Sequence, residues 1–146
     1  MTLLASLLMA GALLEGASKP VHFDVTATFN PARRNAPGEV AVQFVARDPD
    51  VRINEVPPPR LKLETGPATV APPARPAAAA KGGPAGEGPG HYLDLTLPVV
   101  FPVTLASGTP RGTHDARGTV TYFYCSKREG WCRKGTTEVE FPITVP

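Results

Sequence analysis

The chain has 146 residues and two cysteines, Cys125 and Cys132, set in the stretch "YFYCSKREGWCRKG" from Tyr122 to Gly135. Two thiols this close in sequence have three chemical uses: a disulfide that staples the chain, a share in a metal site, or a dithiol that cycles with its disulfide. The last needs an exposed sulfur and a stabilised thiolate. Lys127, Arg128, Arg133 and Lys134 lie within two or three residues of a cysteine and would favour the thiolate, with Glu129 in partial opposition. Four aromatics, Tyr122, Phe123, Tyr124 and Trp131, surround the pair. They could shield a thiolate, and Tyr122, Tyr124 and Trp131 could form a face on which a partner docks. The same residues also suit ordinary strand packing beneath a solvated, charged turn.

Physical arguments rank these uses only in part. Facing residues on an antiparallel pair have Cα atoms about 4.5 or 5.5 Å apart, within the range of about 4.4–6.8 Å that a disulfide accepts. A bridge is therefore feasible if Cys125 and Cys132 oppose each other. Closing a loop of about eight residues stabilises by roughly 2.5 kcal/mol, against roughly 4.4 kcal/mol for a loop of about 70. A staple selected for stability alone would gain more by joining distant strands. A metal site is disfavoured by spacing: the pair lacks a second C-x2-C or clustered histidines, and His22, His91 and His114 are scattered. We expect no metal on this spacing. Staple and redox centre both remain open on these grounds.

The elements around the cysteines read as strands. "VHFDVTATF" (Val21–Phe29) alternates apolar and polar residues, as a half-buried strand does. Val40–Ala46, Val51–Asn54 and Arg60–Thr65 form further strands. Asn30–Glu39 and the "DPD" at 48–50 act as turns, and Pro57–Pro59 break the ladder. Order is also expected over His91–Leu105, where Leu93, Leu95 and Leu97 alternate with polar residues, then a loop "SGTPRGTHD". The strand Gly118–Cys125 and the alternating "TEVEFPITV" (Thr137–Val145) flank the cysteines. "SKREGW" then becomes the tip of a hairpin whose turn uses Gly130. Eighteen prolines and fourteen glycines argue against long helices. Together these features predict an all-β, immunoglobulin-like antiparallel sandwich of about seven or eight strands.

Two segments stand apart. Pro, Ala and Gly supply 20 of the 25 residues from 66 to 90, which have no periodic apolar face and read as a disordered insert. Leu3–Leu14 is a short apolar run, too short to span a membrane but suited to the core of a secretory signal over residues 1–18, or to a short apolar N-terminal helix packed on the domain. Against the signal reading, no Lys or Arg precedes it. Residues 19–146 would form the domain, exported to the periplasm or beyond, where a disulfide can persist. The net charge of +2 and the absence of a basic–aromatic stripe give no reason to expect nucleic acid.

The C-terminal "GTVTYFYCSKREGWCRKGTTEVEFPITVP" resembles the end of the DsbD N-terminal-like domain, the immunoglobulin-fold periplasmic module of bacterial thiol–disulfide interchange proteins. The likeness rests on Tyr122, Tyr124 and Cys125, then Cys132, then Phe141 to Val145. "VRINEVPPPRLKLE" (Val51–Glu64) looks like the family segment in which an Ile-Asn pair precedes prolines. The resemblance covers roughly Val21 to Pro146, interrupted by the insert. It implies that Cys132 attacks a partner disulfide and Cys125 resolves the mixed disulfide, with thioredoxin-fold periplasmic proteins as partners and no cofactor. The intercysteine loop is one residue longer than usual, and Arg133-Lys134-Gly135 stands where prolines often follow. Nothing in these residues resembles the membrane electron conduit or thioredoxin-like domain of full-length members, so the expected donor is a separate membrane reductase.

Overall fold

A computed structural model describes residues 22–34, 37–73 and 92–146. Eight strands run in chain order: β1 (Phe23–Asn30), β2 (Gly38–Ala46), β3 (Val51–Ile53), β4 (Arg60–Thr65), β5 (Ala68–Val70), β6 (Val99–Leu105), β7 (Gly112–Ser126) and β8 (Cys132–Val145). All pairings are antiparallel. One sheet has the order β1-β2-β6-β5; in the other, β7 pairs with β3 and β4 on one edge and with β8 on the other. The protein is therefore an all-β antiparallel sandwich.

Alternation explains why these strands pack as they do. Val40, Val42 and Phe44 of β2 and Val99, Phe101 and Val103 of β6 line the inner face of one sheet. Val120, Tyr122 and Tyr124 of β7 and Val139, Phe141 and Ile143 of β8 line the other. Residues two apart on a strand share a face, so each run places its large side chains on one side. Phe23 joins the sheets, its ring edge-on to Tyr122 at 5.7 Å and to Tyr124 at 5.4 Å. Phe44 meets Tyr122 at 5.2 Å. Such edge-to-face aromatic packing adds about 0.5–1.5 kcal/mol per pair beyond burial.

The structure moves several boundaries. Ala68–Val70, within the segment expected to be a disordered insert, forms β5 by pairing with β6. The remainder of that insert from residue 74, and the N-terminal segment 1–21 with its expected signal, lie outside the described residues. The alternating leucines after His91 are not a strand. Asp94 Oδ1 accepts bonds from the backbone N–H and hydroxyl of Thr96, at 3.0 and 2.6 Å, and closes a turn instead. These bonds hold the Asp94 carboxyl below its ordinary range, the hydroxyl bond being the larger cause. Leu93 is buried while Leu97 is exposed. The expected loop "SGTPRGTHD" is also shorter, because β7 starts at Gly112 and pairs with β8 from Gly112↔Val145 onward.

Candidate functional site

The β7–β8 ladder runs without a register shift from Gly112↔Val145 to Cys125↔Cys132, so the cysteines oppose each other at the end of the hairpin. Ser126 N–H donates to Trp131 O at 2.9 Å, which makes that the hydrogen-bonded pair. The cysteines fall at the next position, where side chains come closer. Their Cα atoms are 4.0 Å apart and their sulfurs are joined in a disulfide. The turn is closed by Gly130 N–H donating to Ser126 O at 2.9 Å and Glu129 N–H to Ser126 Oγ at 3.2 Å. Gly130 has φ of 72°, a left-handed conformation that a side chain would oppose.

The two sulfurs have unequal surroundings. Cys132 is exposed, whereas Cys125 is only 6% exposed. The cover over Cys125 comes from a distant part of the chain. Strand β3 pairs with the end of β7, Arg52 opposite Cys125 and Ile53 opposite Tyr124. Asn54 N–H extends this ladder by donating to Phe123 O at 2.8 Å. On the other side, Leu93 N–H donates to Ile53 O at 2.9 Å and Tyr92 bridges Asn54. Asn54 is thereby clamped between two segments and is 9% exposed. Its Oδ1 lies 3.4 Å from Cys125 Sγ.

Register and alternation sort the neighbouring side chains by face. Arg52, Asn54, Phe123 and Lys134 share the face of the two sulfurs. Tyr122, Tyr124, Trp131 and Arg133 belong to the opposite face. This corrects the expectation that Tyr122 and Tyr124 belong to an exposed docking face. They are 6% and 8% exposed and packed in the core. Tyr122 lies across Gly135 on the facing strand, and a Cβ there would sit 2.5 Å from its ring. The glycine of Arg133-Lys134-Gly135 is therefore required by the tyrosine opposite it. Burial pushes the Tyr122 phenol above its ordinary value, partly offset by its hydrogen bond with Thr137.

Trp131 alone of the three expected docking aromatics is half-exposed. Its indole N–H donates to Glu129 Oε2, and the Arg133 guanidinium sits 4.0 Å from its ring centre. Its ring also meets Tyr124 at 5.6 Å and His22 at 5.5 Å. The His22 Nε2 atom is buried with no hydrogen-bond partner.

The basic cluster is likewise divided. Arg128 pairs with Asp50 at 3.0 Å and Arg133 stacks on Trp131. Lys134 shares the sulfur face, and Arg52 joins it from β3. Sequence reasoning missed Arg52 and Asn54 as neighbours of the cysteines. "VRIN" places both on one face by alternation, but only the pairing of β3 with β7 brings that face to the sulfurs. Of the histidines set aside as scattered, His114 is half-buried and within 2.8 Å of Pro110 O, and His91 lies outside the described residues. Among the described residues, no group of three or more His, Cys, Asp or Glu side chains could hold a metal ion, and no helix is long and apolar enough to cross a membrane.

This geometry permits thiol–disulfide exchange at one end of the pair: an incoming thiolate can reach Cys132, while Cys125 is covered. No family model, curated protein or solved structure matches this chain.

Proposed function

We propose that the protein is a thiol–disulfide exchange module that acts in an oxidising compartment such as the bacterial periplasm, through the Cys125–Cys132 pair. The observation that carries this reading is the inequality of the two sulfurs, one exposed at a basic hairpin tip and one buried beside Asn54. The resemblance of the C-terminal stretch to the DsbD N-terminal-like domain points the same way.

In the forward step, the Cys132 thiolate attacks a disulfide sulfur of a thioredoxin-fold partner. A new S–S bond joins the two proteins and the partner's other sulfur leaves as a thiolate with the bonding electron pair. Cys125 then gives up its proton to solvent, and its sulfur attacks Cys132 Sγ. The mixed disulfide breaks, the partner leaves as a dithiol after protonation, and the Cys125–Cys132 disulfide is restored. Two electrons pass from the pair to the partner. A separate dithiol donor, with a membrane reductase as the expected class, must attack the exposed Cys132 sulfur to regenerate the dithiol.

Arg52 and Lys134 add positive charge on the face where the attacking thiolate forms, which favours the ionised sulfur. The alternative is a non-catalytic binding or structural module in which the disulfide only pins the hairpin. The long β7–β8 ladder argues against it, because a bridge at the end of an already paired hairpin closes only a short loop. The test is trapping. With Cys125→Ser, Cys132 should accumulate mixed disulfides with thioredoxin-fold proteins of the exporting cell. If Cys132 forms none, the assigned roles are wrong.

A further inference from the structure

We propose that Asn54 is a positioning residue for the pair: in the dithiol form its amide oxygen accepts a hydrogen bond from the Cys125 S–H, holding Cys125 as the thiol and leaving the first attack to Cys132. The assignment rests on atoms already placed. Asn54 Oδ1 stands 3.4 Å from Cys125 Sγ, and Asn54 is more than nine-tenths buried. In the disulfide, Cys125 Sγ has no hydrogen to give. Among the described residues, no other donor reaches this oxygen. The oxidised protein thus holds a buried acceptor facing a sulfur that cannot satisfy it, at a cost that falls when a donor appears. Reduction supplies the missing hydrogen.

Two consequences follow from that single contact. The hydrogen bond exists only while Cys125 is protonated, so it opposes ionisation of that sulfur, as does burial; Arg52, across from Cys125 on β3, acts in the opposite sense from an exposed, solvent-screened position. Cys132 is exposed and shares a face with Lys134, so the two thiols should ionise in a fixed order. The same bond also stabilises the dithiol relative to the disulfide, so Asn54 makes the pair easier to reduce. A neutral hydrogen bond contributes about 0.5–1.5 kcal/mol net, which corresponds to roughly a two- to twelvefold change in the reduction equilibrium. The backbone clamp from Phe123 and Tyr92 fixes where the amide can point, so a side chain substituted there inherits the same placement.

The biological use of this device rests on the exchange reading, but the device can be tested without it. In the reduced protein, iodoacetamide labelling across pH, read by mass spectrometry for each cysteine, should show Cys132 reacting at lower pH than Cys125. Asn54→Leu should shift the Cys125 profile to lower pH. It should also move the equilibrium with glutathione about three- to tenfold toward the disulfide; tenfold corresponds to about 30 mV for this two-electron couple. Asn54→Asp, which keeps the size, should shift the Cys125 profile to higher pH. An unchanged Cys125 profile in both variants, or a shift to higher pH in Asn54→Leu, overturns the assignment. If instead the order of ionisation and both shifts hold while the pair proves too hard to reduce, the exchange function fails and the role of Asn54 stands.

Discussion

The two faces of the β7–β8 hairpin are built from neighbouring residues of the same strands, yet they are finished differently. On the inner face Tyr122, Tyr124, Phe23 and Phe44 interlock, and Tyr122 is seated on a glycine that leaves room for nothing else. On the outer face the covalent link between the strands sits at the very end, half covered, with an amide oxygen and two cations as its companions. Stability and reactivity have been separated by the period of two along a strand. The large packed side chains of the hairpin lie on one side, and the sulfurs lie on the other.

Each face of the hairpin can be perturbed separately. Tyr122→Ala strikes the inner face and should have the largest effect, a loss of about 3–5 kcal/mol in chemical denaturation, typical of removing a large aromatic from a core. The labelling profiles of the reduced cysteines should keep their order. Removing the disulfide from the outer face with Cys125→Ser and Cys132→Ser together should cost less, at most about 2.5 kcal/mol by the same measurement. A double variant that fails to fold would mean that the bridge, and not the aromatic face, holds the hairpin.

The smallest effect should come from an exposed ion pair at the start of β1 that belongs to neither face. Asp24 accepts three close hydrogen bonds from Arg47, which hold its carboxyl below the ordinary value of 3.8. A carboxyl whose folded value is depressed adds stability above its unfolded value and loses it as pH falls through the folded one. The denaturation midpoint should therefore drop slightly more steeply below about pH 4 in the native protein than in Asp24→Asn. Equal slopes would show that this exposed pair contributes nothing, as many surface ion pairs do.

How much of this was legible in the sequence differs between the faces. The inner face follows from local periodicity. Val139, Phe141 and Ile143 alternate with polar residues, and the structure buries all three. The position of the hairpin tip and the role of Gly130 were legible for the same reason, since both depend on residues close in sequence. The cover over Cys125 was not. Asn54 reaches it through a strand of three residues that pairs with the far end of β7, and Tyr92 backs it from beyond residues 74–91. No local pattern encodes such a pairing. Periodicity also misled at Leu93 to Leu97, where Asp94 offers the backbone a turn in place of a ladder. At Tyr122 and Tyr124 it was nearness in sequence to a cysteine that misled, since alternation itself puts both on the face away from Cys125.

The central claim is that the sulfur face is built for exchange, and the reduction potential of the Cys125–Cys132 pair tests it most directly. Equilibration with glutathione buffers, read by the fraction of dithiol, should place the pair near the thioredoxin range of about −270 mV or above. A potential below about −300 mV, where structural disulfides of secreted proteins lie, would contradict the account and leave the bridge as a staple.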